Sequence, residues 1–182
     1  MILKRFLFIS LFVVTRVAAA QQLDACFAAS AKKYNLDPRL LWSIAMVESR
    51  GRASAINLTH YQRTNSVDLG IMQINSGHLP TLARYGITRD MLMNDSCLNI
   101  DVGAWILADS VRRNGATWNA VGAYNTACSQ LKGKACEDSR RRYTDLVWKW
   151  YAGAGKTLPA QAYVQTARAP AGPAITIEDE TN

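Results

Sequence analysis

Asn35-Leu36-Asp37-Pro38-Arg39-Leu40-Leu41-Trp42-Ser43-Ile44-Ala45-Met46-Val47-Glu48-Ser49-Arg50-Gly51 reads as one helix with both of its ends. Asp37 offers a side-chain oxygen to the free N–H groups of the first turn, and Pro38 stands at the first helical position, where its missing N–H costs nothing. Arg50-Gly51 supplies the stop. Within the helix predicted over Pro38 to Ser49, Leu41 and Ile44 precede Glu48 by seven and four residues and therefore share its face. An ionised carboxylate on the apolar side of its own helix is costly unless paired, and a raised pKa relieves that cost. A Glu that keeps its proton near neutral pH is what a general acid for glycosidic cleavage requires. The competing reading is a buried structural Glu paired with one of the arginines.

The flanking sequence extends this unit into a mainly helical domain. A helix is predicted upstream over about Asp24 to Tyr34. Downstream, Arg52 to Ser66 is polar, lacks helical periodicity and is long for a connection, which predicts a small hairpin or a functional loop. Gly70-Ile71-Met72-Gln73-Ile74-Asn75 is short and apolar, and periodicity leaves strand end and helix start both open. Further helices are predicted at about Leu79 to Tyr85, Asn99 to Asn114, Trp118 to Asn125 and Ser139 to Tyr151, with Thr117 and Ser139 as N-caps. In the last of these Tyr143, Val147 and Trp150 form a stripe that reads as core packing.

At the N-terminus, Lys4-Arg5, the apolar run Phe6 to Val14 and Ala18-Ala19-Ala20 have the order of a secretory signal cleaved after Ala20. The run is too short for a stable membrane anchor, and no second apolar stretch reaches spanning length. Loss of Lys4, Arg5 and Arg16 takes the formal charge from +7 to +4. The expected organisation is a leader over 1–20, one domain over 21–152, and a Pro/Ala-rich tail over 153–182 that ends in Glu178-Asp179-Glu180 and reads as disorder or an interaction segment. The expected compartment is the periplasm.

Cys26, Cys97, Cys128 and Cys136 form an even set in an exported chain, which predicts two disulfides. Three pairings are possible. Cys128–Cys136 would close a short Gly/Lys-rich loop and Cys26–Cys97 would tie the mature N-terminus to the middle of the domain, so that pairing is favoured. No metal or other cofactor is expected: no spacing is Cys-x-x-Cys, and His60 and His78 lie far from the cysteines in the chain. Both histidines read as surface residues without a catalytic duty. The one basic cluster, Arg140-Arg141-Arg142, opens an amphipathic helix and is not interleaved with aromatics, so a solvated face is favoured over a nucleic-acid site. Modest positive charge suits an anionic wall polymer or membrane surface.

Four separated elements carry the functional reading: Glu48-Ser49, Gly70-Ile71-Met72-Gln73, Ala123-Tyr124-Asn125 and Tyr143. In this order and spacing the chain, over about Cys26 to Tyr151, resembles the lytic transglycosylases of the lysozyme-like superfamily. Asp37-Pro38, Gln73-Ile74-Asn75-Ser76, Leu79-Pro80, Tyr85-Gly86-Ile87 and Val102-Gly103-Ala104-Trp105 are similar to the small exported members that accompany type III and type IV secretion, conjugation and pilus systems. Ile71 replaces the commoner Leu, and Thr126-Ala127 stands where the family often has Ala-Gly.

The resemblance implies an α+β, mainly α, lysozyme-like fold with a small β element beside a glycan-binding groove. It implies that Glu48 protonates the oxygen between N-acetylmuramic acid and N-acetylglucosamine in peptidoglycan, and that the muramic acid's own C6 hydroxyl closes a 1,6-anhydro end. Ser49 would orient substrate or cap its helix; Met72 and Gln73 would line the groove and contact sugar. Tyr124 and Tyr143 would set hydroxyls near Glu48, and Asn125 would bind an acetamido group. Asp68 is the candidate second carboxylate, with a loop-capping role as the favoured alternative. The implied partners are glycan strands and the proteins of a secretion or conjugation apparatus. A hydrolytic muramidase and a wall-binding assembly module are the rival functions.

Overall fold

The computed structural model describes residues 22–153. The leader expected over 1–20 lies outside them, as does the expected tail apart from Gly153. The described chain runs as helix α1 (residues 22–34), α2 (Pro38–Glu48), strand β1 (Ile56–Asn57), α3 (Tyr61–Thr64), β2 (Asp68–Leu69), β3 (Ile74–Asn75), α4 (Leu79–Leu82), α5 (Arg89–Asn94), α6 (Ser96–Asn114), α7 (Trp118–Asn125) and α8 (Gly133–Gly153), with single 3-10 turns on either side of α4. The architecture is the expected one, mainly α with one small sheet.

Helix α2 begins as its sequence dictates: the Asp37 side chain accepts from the Arg39 N–H at 2.9 Å, and Pro38 follows it. Its apolar face, with Leu41 and Ile44 fully buried, forms the middle of the core. Long helix α8 runs against it and is held at two points. Tyr151 donates to Asp37 Oδ2 at 2.6 Å near the start of α2, and Tyr143 donates to Glu48 at its end. Tyr143 and Val147 are buried between them, as the stripe predicted.

The polar stretch after α2 and the ambiguous apolar one resolve into a three-stranded antiparallel sheet in the order β1-β2-β3. Its register pairs Ile56 with Leu69 and Leu69 with Ile74, and it pairs Asn57 with Asp68 and Asp68 with Asn75. Side chains alternate across a pleated strand, so Leu69 and Ile74 enter the core while Asn57, Asp68 and Asn75 share the other face.

Several expected boundaries differ. Helix α8 starts at Gly133, so Ser139 is interior and its hydroxyl meets that of Thr126 instead of capping. Thr117 occupies the N-cap position of α7 without a side-chain cap bond. Helix α6 starts at Ser96 because Asp95 caps it, accepting from the Leu98 N–H at 2.9 Å. The single helix expected over Leu79 to Tyr85 is α4 followed by a 3-10 turn, and α3 and α5 were not expected from periodicity because each is six residues or fewer. Two disulfides, Cys26–Cys97 and Cys128–Cys136, tie α1 to α6 and the loop after α7 to α8.

Candidate active site

Glu48 is the last residue of α2 and lies in a groove of about 580 Å³. The polar face of the sheet and α3 form one side of the groove; Ile106 of α6 and Tyr124 and Asn125 at the end of α7 contribute to the other. Burial pushes the Glu48 carboxyl up to about 7 and the negative charge of Asp68 adds to the rise, against the Tyr143 hydrogen bond, which pulls it down. Tyr143 donates to Glu48 Oε1 at 2.6 Å. Burial and the neighbouring Glu48 raise the Tyr143 phenol well above its ordinary range, so it stays a donor at neutral pH. With Oε1 engaged as an acceptor, the carboxyl proton resides on Oε2.

No cation pairs with Glu48 among the described residues, which removes the competing reading of an Arg-paired structural carboxylate. The two arginines nearest in sequence are engaged elsewhere: Arg50 packs over the Trp150 ring, and the Arg52 side chain donates to the Ser49 carbonyl at 3.0 Å.

The other expected site residues fall into two groups. Gln73, Asn125, Tyr124 and Asp68 line the same groove as Glu48. Gln73 has a left-handed backbone, with φ of 49°, and its Nε2 donates to the carbonyls of Gly70 and Ala55 at 2.7 and 3.1 Å, so the side chain closes its own turn. Ser49 and Met72 lie behind the groove surface. The Ser49 hydroxyl is buried and donates to the Ile71 carbonyl at 2.7 Å while accepting from the Arg52 N–H at 3.1 Å. It therefore pins the end of α2 to the Gly70–Gln73 turn.

The sugar contact expected of Met72 needs correction. Its side chain is fully buried, packed so closely on α6 that a Cβ at Gly103 would lie 2.8 Å from Met72 Cβ. Its backbone does the positioning: the Met72 N–H donates to Asn99 Oδ1 at 2.9 Å and its carbonyl accepts from the Tyr124 hydroxyl at 2.9 Å. Tyr124 is thus bound to the turn and not to Glu48.

Asn99 was not anticipated. Fully buried, it also donates to the carbonyls of Leu69 and Leu92, both at 3.0 Å. A Cβ at Gly70 would lie 2.2 Å from Asn99 Nδ2, and Gly70 has φ of 75°, so this position requires glycine on both counts. The available signal was a polar residue three and four positions before Val102 and Gly103, on the apolar face of α6.

The two histidines also differ from expectation. His60 and His78 are half-buried and line the groove, His60 beside Asp68 and His78 where burial and the Arg113 charge lower its pKa. Sequence separation hid this, because α3 and the 3-10 turn before α4 fold back onto the sheet. Among the described residues no group of His, Cys, Asp and Glu has the arrangement of a metal site.

A proton-bearing Glu at a polar groove, braced by a tyrosine from an antiparallel helix, is an arrangement for protonating a leaving oxygen. The profile of the family described as Transglycosylase SLT domain matches residues 25–146. The chain belongs to this family. Its fold is accordingly lysozyme-like, and at family level it is a lytic-transglycosylase-type enzyme whose domain binds peptidoglycan. Similar proteins include the Invasion protein IagB of Salmonella typhimurium (strain SL1344), 39% identical over 126 residues, covering 69% of this chain and 74% of that protein. Protein IpgF of Shigella flexneri is 35% identical over 145 residues, covering 78% of this chain and 91% of its own length. A Peptidoglycan-binding-like protein of Escherichia coli O157:H7 is 34% identical over 134 residues, covering 71% and 75%. Two disulfides in a transglycosylase SLT domain accord with a place outside the cytoplasm. No helix of the described residues is long and apolar enough to cross a membrane.

Proposed function

We propose that this protein is an exported, periplasmic lytic transglycosylase that cleaves the β-1,4 bond between N-acetylmuramic acid and N-acetylglucosamine and leaves a 1,6-anhydro end. The observation that carries the reading is the Glu48 carboxyl at the groove, raised to about 7 and hydrogen-bonded to Tyr143. Glu48 gives its proton to the bridging oxygen as the bond to C1 breaks. The ionised Glu48 then takes the proton of the muramic acid C6 hydroxyl as that oxygen bonds to C1, which restores the acid without consuming water. The substrate's acetamido group supports the positive charge at C1, so no enzyme nucleophile is required.

In this reading Asn125 and Gln73 contact sugar from the groove walls, and Tyr143 tunes Glu48. Ser49, Met72 and Tyr124 hold the turn that carries Gln73. The biological setting we infer is local opening of the wall for a secretion or conjugation apparatus, in keeping with the name of the invasion-protein relative. Asp68 in the same groove favours one second reading, a hydrolytic muramidase with Asp68 as base for water.

Digestion of purified sacculi by the wild type and Glu48→Gln, with products identified by mass, tests both. Anhydro ends, one water lighter than hydrolysed reducing ends, are expected from the wild type and none from the variant. Reducing ends as the sole product would replace the transglycosylase reading with the muramidase one.

A further inference from the structure

The groove contains a histidine that the proposed reaction leaves unassigned. His60 Nε2 lies 3.5 Å from Asp68 Oδ1 and 3.4 Å from Asn75 Nδ2. Both protons of the Asn75 amide are already committed, one to Asp68 Oδ1 at 2.8 Å and one to Ser66 Oγ at 3.0 Å. With the Asn75 amide engaged in this way, the His60 ring is left to stand against Asp68 Oδ1 at ion-pair distance. The other carboxylate oxygen, Oδ2, accepts from Asn57 Nδ2 at 3.2 Å.

The sheet explains why these groups converge. Asn57, Asp68 and Asn75 are successive cross-strand partners on the face opposite Leu69 and Ile74, and His60 stands at the N-cap position of α3 next to that face. Asn75 is itself fixed, since its Oδ1 accepts from the Gly77 N–H at 2.9 Å. Asp68 thus accepts from two amides on separate strands, Asn57 and Asn75, and has the His60 ring against its Oδ1, more than a loop cap needs.

We propose that His60 is a positioning residue: together with Asn57 and Asn75 it holds the Asp68 carboxylate on the groove wall as a stationary negative charge toward the sugar on which positive charge develops. This rests on the glycan-cleaving reading above. It gives Asp68 an electrostatic role in place of a nucleophilic one, because a carboxylate fixed by two amide donors and a neighbouring ring acts through its stationary field. Positive charge develops at C1 only as the bond breaks, so loss of the brace should lower kcat and leave KM unchanged.

The experiment compares wild type, His60→Ala, His60→Gln, Asp68→Asn and the double variant His60→Ala/Asp68→Asn on purified sacculi. Tm and near-UV circular dichroism are measured on each. We expect His60→Ala to lower kcat about tenfold at unchanged KM, as loss of one charge-assisted contact would. His60→Gln, which keeps an N–H donor, should recover most of that loss, and the double variant should be no slower than Asp68→Asn alone. Additive losses, a change confined to KM, or a His60→Ala variant with wild-type kcat would each overturn the proposal. If His60→Ala unfolds, Asp68→Asn decides it: that variant removes the charge that His60 is proposed to hold, so a wild-type kcat in it would overturn the proposal. Failure of the underlying reading looks different: the wild type and Glu48→Gln would then cleave equally or not at all.

Discussion

Glu48→Gln separates stability from catalysis in opposite directions. The carboxyl rises from an ordinary value of 4.5 to about 7 in the folded protein. At about 1.4 kcal/mol for each tenfold change in proton affinity, the ionised form disfavours the fold by up to roughly 3 kcal/mol. The sign follows from proton counts. Between pH 4.5 and about 7 the folded protein holds a proton that the unfolded chain has released, so stability falls as pH rises through that window and levels off above it. Gln reproduces the shape of the protonated acid and can still accept from Tyr143, yet it never ionises. The variant should therefore match the wild type near pH 4 and exceed it at pH 8. Because Glu48 is not fully shielded from groove water, we expect about 2 kcal/mol of that bound, which is 5 °C or more in Tm, roughly, for a domain of this size. Strand cleavage should drop at least about a hundredfold at every pH. Thermal unfolding at pH 4 and pH 8 beside sacculus digestion measures both. A Tm difference that does not change with pH would refute the raised pKa, and retained cleavage would refute the assignment of the acid.

Tyr143→Phe removes the 2.6 Å bond that opposes the rise at Glu48, so the alkaline limb of the pH–rate profile should move to higher pH, while kcat falls about tenfold through loss of positioning. Gly70→Ala forces a methyl group onto the Asn99 amide at a left-handed backbone position; we expect a loss of more than about 2 kcal/mol in urea unfolding, with activity falling in parallel. Tyr124→Phe leaves the Met72 carbonyl without its hydroxyl partner and should cost about 1–2 kcal/mol, with a smaller effect on catalysis than Tyr143→Phe. Of the two disulfides, Cys26–Cys97 spans 71 residues and Cys128–Cys136 spans 8, so replacing the first pair by Ala should cost about 4 kcal/mol and the second about 2–3 kcal/mol in chemical unfolding.

What the chain revealed in advance was local. The Asp37-Pro38 start, the Leu41–Ile44–Glu48 face and the Tyr143–Val147 stripe each depend on spacing within one helix, and spacing along a helix is readable. The parts that escaped depend on register between distant segments. Asp68 stands out in the sequence as a candidate carboxylate, but Asn57 and Asn75 are ordinary polar residues until two hairpin turns bring them beside it, and strands two residues long leave no alternation to detect. His60 follows the same logic. Met72 failed for a different reason: the Gly-Ile-Met-Gln motif marks a place where backbone, not side chain, does the work, and the Gly103 that receives the methionine lies on another helix.

The placement of Glu48 also accounts for the investment in that turn. A carboxyl that resists ionisation would relax toward water if the end of α2 could move, and its proton affinity would fall toward the ordinary value. Movement is opposed from several directions. Ser49 binds α2 to the Ile71 carbonyl, Asn99 binds the Met72 N–H and the Leu69 carbonyl, and Tyr124 binds the Met72 carbonyl. Three helices supply these four bonds, α2 through its C-cap Ser49, α6 through Asn99 and α7 through Tyr124, and each bond ends on or beside the same four-residue turn. Loosening any one of them should therefore appear as a fall in the pH at which activity is lost on the alkaline side, before the domain itself unfolds. Tyr143→Phe, which acts on the carboxyl directly, should move that limb the opposite way. A frame residue and a tuning residue are thus distinguishable by the sign of one kinetic shift.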